Sequence, residues 1–133
     1  MKSLCVGEEV YAVLVEADDK QEGSLWIGAS HESLQAQRMV YPRGKFFRTH
    51  HHILNPRTIK RTQEAFVVIS GKLAVDVYDV KASLIGVLKA GPGEAIFVYR
   101  GGHSVKVLED FVGYEFKAGA FSLVSEDKEF LDV

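Results

Sequence analysis

Apolar residues in this chain come in short runs, often alternating with polar ones, and most runs end at glycine, proline or a cluster of charges. Side chains of an extended segment point alternately to its two faces, so a half-buried strand reads apolar, polar, apolar, whereas an amphipathic helix repeats every 3.6 residues or so. The first pattern dominates. It predicts strands over 10–15 (VYAVLV), 24–27 (SLWI), 35–41 (QAQRMVY), 45–52 (KFFRTHHH), 64–70 (EAFVVIS), 72–79 (KLAVDVYD), 83–89 (SLIGVLK), 94–100 (EAIFVYR), 103–109 (HSVKVLE) and 112–118 (VGYEFKA). The polar stretch EADDKQEG reads as the loop of an N-terminal β-hairpin joining the first two. YPRG, SG, VKA, AGPG and GG punctuate the rest. About ten strands at this spacing predict an all-β fold, an antiparallel sandwich or barrel. Helix signals are weak: Ser30 can cap one turn over HESLQ, and Ser125 followed by Glu126 and Asp127 can start a short C-terminal turn.

Length and charge narrow the function. A chain of 133 residues with 47% apolar and 26% charged residues is expected to form one domain, 1–133, around one core. The formal net charge of -2 gives no general attraction to nucleic acid or to an anionic membrane. The N-terminus lacks the pattern of a secretory signal, and no run approaches the roughly 20 apolar residues of a membrane span. A cytoplasmic location is therefore expected. Cys5, the single cysteine, excludes an internal disulfide and a thiolate cluster.

The chemistry concentrates in the histidines. If 45–52 is a strand, Phe46, Arg48, His50 and His52 share one face and His51 points to the other. The same rule groups Glu64 with Phe66 and Val68, and His103 with Val105 and Val107. If those faces line one barrel, three imidazoles and a carboxylate meet in an apolar interior, a set that suits a divalent transition metal (Fe, Mn, Ni or Zn) with open coordination positions. A histidine pair at a strand end can equally be solvated, so the metal reading draws its weight from His103 and Glu64 following in order.

Gly44-x5-His50-x-His52 followed by Glu64-x6-Gly71 resembles the first signature motif of the cupins, and Gly93-x5-Tyr99-x-Gly101-x-His103 resembles the second. The resemblance spans about 34–121. Within it QRM (37–39), Arg48 to His52 and EFKAGAF (115–121) are most similar to small cupin-fold metalloproteins encoded with cell-surface polysaccharide genes. The chain departs from the usual motifs in four ways: eleven residues separate His52 from Glu64, tyrosine stands at 99 in place of proline, the second motif is one residue short, and valine stands at 107 in place of asparagine. The resemblance implies a jelly-roll β-barrel, a metal held by His50, His52, Glu64 and His103, and Glu115 and Lys117 lining the cavity.

Arg48, on the face of His50 and His52, is read either as the ion-pair partner of Glu115 or as a clamp for an anionic ligand. Tyr99 and Arg100, before the GG turn, are placed at the mouth as candidate ligand contacts. Arg57, Lys60 and Arg61 form a local cationic patch beside it. AGPG lacks the following helix that a phosphate-binding glycine loop needs, and His31 is assigned to the surface. Three functions remain: a metal-dependent isomerase, epimerase or dioxygenase acting on a small anionic substrate; a non-catalytic binding module; and a metal-free sugar-nucleotide epimerase. Open sheet edges predict a homodimer.

Overall fold

The computed structural model describes residues 1–133 except Asp19, Phe121 and Ser122, so the end of the EFKAGAF stretch lies outside the described residues. Eight strands and one short helix follow in order: β1 (Lys2–Val6), β2 (Glu9–Val15), β3 (Gly23–Ile27), β4 (Ala36–Val40), β5 (Glu64–Tyr78), β6 (Leu84–Ala90), β7 (Ala95–Val98), β8 (Gly102–Lys117) and α1 (Val124–Asp127). All strand pairings are antiparallel. One six-stranded sheet runs β1-β2-β7-β5-β6, with β8 on the other side of β5, and β3 and β4 form a separate two-stranded sheet. The larger sheet curls into a half-barrel. The expected all-β class is what forms.

The strand assignments change in four places. VYAVLV does not form a hairpin with SLWI. Tyr11 to Val15 are buried, feeding apolar clusters on both faces of the sheet, and β2 lies inside that sheet between β1 and β7. The N-terminal hairpin is therefore β1 with β2, turned at Gly7, whose φ of 60° is one that glycine adopts without penalty. SLWI, as β3, pairs with β4. Segment 45–52 forms no strand at all. Finally, the two runs on either side of SG fuse into β5, and the last two runs fuse into β8. Gly71 does take a positive φ of 81°, but as a bulge within β5, not as a hairpin turn.

Bulging has a structural consequence. The β5/β8 register shifts between Val68 and Ser70, between Ser70 and Lys72, and between Lys72 and Leu73. A Cβ on residue 71 would stand 2.0 Å from the Asp110 carbonyl oxygen, so only glycine lets the two backbones close at the bend. The paired ribbon folds over there, and its two ends come to face each other.

Two apolar clusters hold the sheet. On the concave face Leu14, Phe66, Val68, Leu73, Val75, Val77, Leu88, Ile96 and Val98 pack together. On the other face Val13, Val15, Ala65, Phe97 and Tyr99 pack against Ile27 of β3. Burying one such valine, leucine or phenylalanine is worth about 1.5–3 kcal/mol, so β2, β7 and the start of β5, which feed both clusters, anchor the fold. The second sheet is tied on by Gln63, 2% exposed, whose Oε1 accepts from the Leu34 amide at 2.7 Å. The one turn expected at the C-terminus is α1, which starts one residue before Ser125 and is not capped by a side chain; HESLQ forms only turns and bends.

Candidate functional site

Glu64 opens β5, where it is opposite Val98 of β7 on one side and Lys117 of β8 on the other. Alternation turns its side chain to the concave face with Phe66 and Val68, as the sequence predicts. His103 lies at the far end of the ribbon, paired with Val77. Because the ribbon is folded over, the two side chains meet: His103 Nε2 is 2.6 Å from Glu64 Oε2. The other carboxylate oxygen, Oε1, is 3.1 Å from Lys117 Nζ. The Phe66 ring, 6.1 Å from the imidazole, flanks the contact.

Each partner acts on the carboxylate. Burial raises the Glu64 pKa, but the hydrogen bond and charge of His103 and then of Lys117 outweigh it, and the result is lowered to about 2. Glu64 is thus an anion at neutral pH although its side chain is only 8% exposed. Lys117 is held well above the usual lysine range, chiefly by its hydrogen bond to Glu64 and further by the charges of Glu64, Glu115 and Asp127. Its ammonium stands 3.6 Å from Glu115 and 3.4 Å from Asp127.

Glu64, His103, Lys117 and Glu115 are therefore brought together, and the remaining predicted site residues are not. His50, His51 and His52 are all exposed on a segment without ladder partners. With no sheet to hold the segment, there is no inner barrel face for Arg48, His50 and His52 to share. The His50 and His52 rings do lie edge to face at 5.4 Å, and His50 Nδ1 is 2.8 Å from the Arg48 carbonyl oxygen. Among the described residues, no group of three or more His, Cys, Asp or Glu is placed to hold an ion. Arg48 is exposed and makes no ion pair among the described residues; Glu115 takes Lys117 instead.

Tyr99 is not at a mouth. It is fully buried in the second apolar cluster, because the chain just after β7 packs it with Phe97 against Ile27 of the β3/β4 sheet. Its hydroxyl has no hydrogen-bond partner among the described residues and presses on Gly28, where a Cβ would lie 2.3 Å away. Burial, with the charge of Glu32, pushes its pKa up to about 12.

Two acidic residues matter that the sequence reading passed over. Asp127 of α1 accepts from Thr62 Oγ1 at 2.9 Å and from Lys117 Nζ at 3.4 Å, joining the C-terminal turn to the site. Its one sequence signal, an acid in the first turn of a helix, speaks of the helix alone. Glu32 is ion-paired to Arg100, and Gln63 Nε2 donates to the same carboxylate group. The chain matches no protein-family model, no curated protein and no solved structure.

Proposed function

We propose that this chain is a metal-binding member of the cupin superfamily, a jelly-roll type domain in which Glu64 and His103 supply two of the ligands to a divalent transition metal (Fe, Mn, Ni or Zn). The observation that carries this is the convergence of these two side chains from opposite ends of the β5/β8 ribbon, 2.6 Å apart, despite the eleven residues that separate Glu64 from His52. Two donors each about 2.1 Å from one ion and cis to one another stand about 3 Å apart, a few tenths of an ångström more than the present contact of the pair. His50 and His52 are the remaining donors of the proposed set. They fit in kind, as neighbouring imidazoles, but their exposed segment does not reach the pair.

A bound ion of this type supplies a Lewis acid that polarises a substrate oxygen. The chain's own groups do the rest. Lys117 and His103 hold Glu64 ionised, Phe66 keeps one side of the contact apolar, and Glu115 and Asp127 offset the charge of Lys117. We infer an isomerase, epimerase or dioxygenase type of enzyme acting on a small anionic, oxygenated or sugar-derived substrate, working as a homodimer and without nucleic acid or membrane as partner. No helix among the described residues is long and apolar enough to cross a membrane.

One observation favours a second reading. With one oxygen of Glu64 on His103 and the other on Lys117, the pair also has the form of a carboxylate-oriented imidazole, a metal-free general base of the kind an epimerase uses. Tyr99, being buried, cannot be its acid partner. Metal analysis of protein purified without a nickel column separates the two. Stoichiometric metal in the wild type, lost in His103→Gln, supports the first; metal-free wild-type protein that turns over a sugar phosphate sinks it and supports the second.

A further inference from the structure

Beyond the last rung of the β5/β8 ladder, Glu64 opposite Lys117, the two chains continue side by side, the Ala118 amide donating to the Gln63 carbonyl oxygen at 2.9 Å. A pocket of about 320 Å³ opens at this point, lined on the side before β5 by Arg57, Ile59, Lys60, Arg61 and Thr62 and on the side after β8 by residues 118–120. The charge around it is one-sided. No acidic residue occurs between Glu32 and Glu64, while that interval carries seven of the chain's 16 lysines and arginines. Among the described residues, Arg57, Lys60 and Arg61 form no ion pair. Asp127, the carboxylate bonded to Thr62 of the pocket, accepts from Thr62 with one oxygen and from Lys117 with the other.

Three like charges around one small concavity repel each other, and an anion seated among them relieves the repulsion. Guanidinium groups present paired N–H donors that match the oxygens of a phosphoryl group. A concavity of this size accepts one or two phosphoryl groups; a nucleic-acid strand needs an extended basic stripe.

We propose that this pocket binds the phosphate or diphosphate group of a small-molecule ligand, whose remaining part extends past Lys117 toward Glu64 and His103. The direction of the ligand rests on the functional reading of Glu64 and His103; the anion contact does not. Calorimetric titration of the full chain with inorganic phosphate and with pyrophosphate, after chelator treatment and at fixed ionic strength, tests it. Both anions are expected to bind. The double substitution Arg57→Gln and Arg61→Gln is expected to weaken binding by about tenfold or more, since it removes two of the three cations around the anion. Arg43→Gln, which removes a cation outside the pocket, is expected to leave affinity unchanged, and so is His103→Gln. Because the pocket arginines are exposed, circular dichroism is expected to report an intact fold for the double variant. No binding to metal-free protein, or an equal loss from Arg43→Gln, overturns the proposal. Loss of phosphate binding in His103→Gln also overturns it, because the anion is then held at the Glu64 cluster. Retained phosphate binding in a protein that never carries metal leaves the pocket standing and removes only the metal reading.

Discussion

Glu64 and His103 touch at 2.6 Å although Glu64 is the first residue of β5 and the ladder partner of His103, Val77, is the last but one. Their contact depends on a fold in the ribbon between them. Replacing Glu64 by glutamine keeps the shape and removes the charge that both His103 and Lys117 address. In chelator-treated protein Glu64→Gln is expected to lower stability by about 1.5–3 kcal/mol, the range for hydrogen bonds to a charged group, measured by urea unfolding. A change within a few tenths of a kcal/mol would mean that the pair contributes nothing to the fold.

Gly71 tests the origin of the bend. Gly71→Ala forces a side chain onto a positive φ and places Cβ 2.0 Å from the Asp110 carbonyl oxygen, which is backbone and cannot swing aside. We expect destabilisation of at least about 2 kcal/mol, together with reduced metal retention in whatever fraction folds, because the ends of the ribbon no longer face each other. An alanine variant as stable as the wild type, with unchanged metal content, would show that the bend is not made by this residue.

Tyr99 gives the pH dependence. Its pKa is raised to about 12 by burial and by Glu32, from an ordinary value of 10.0. Between these values the unfolded chain has released the phenolic proton and the folded protein still holds it. The contribution of this group is therefore complete below pH 10 and is lost as pH rises toward 12. Following phenolate absorbance, Tyr99→Phe is expected to remove a component titrating near pH 12. Because the hydroxyl has no partner among the described residues, the same variant is expected to be as stable as the wild type or more so at pH 7. By contrast Gly28→Ala, which drives a Cβ into that hydroxyl, is expected to cost about 2 kcal/mol or more.

The three consecutive histidines test the proposed donor set. If His50 and His52 complete the metal set, alanine at either lowers metal content measured by mass spectrometry, and His51→Ala does not. Equal losses at all three positions would show that the run binds metal only as an exposed cluster. No loss at any of them would leave Glu64 and His103 as the protein's whole contribution.

Sequence alone determined the class and the inward faces of the long strands. Alternation in EAFVVIS and KLAVDVYD placed Glu64 with Phe66 and Val68, and the structure keeps them on one face, because alternation is a local property of an extended chain. It also marked Gly71 as a special position, since a positive φ is a requirement of the residue itself. Which strands pair was decided by the tertiary structure alone: VYAVLV is apolar throughout, and such a run carries no face preference from which a partner can be read. The site divides in the same way. Glu64, His103 and Lys117 were legible as inward positions, but that a bulge at 69–72 would set His103 against Glu64 depends on backbone packing against Asp110. Arg48, His50 and His52 shared a face only on the condition that 45–52 pairs in a sheet, and pairing is a property of the neighbours. Tyr99 needed the most: its place before the GG turn suggested the mouth, and only the docking of the β3/β4 sheet decided that it is buried.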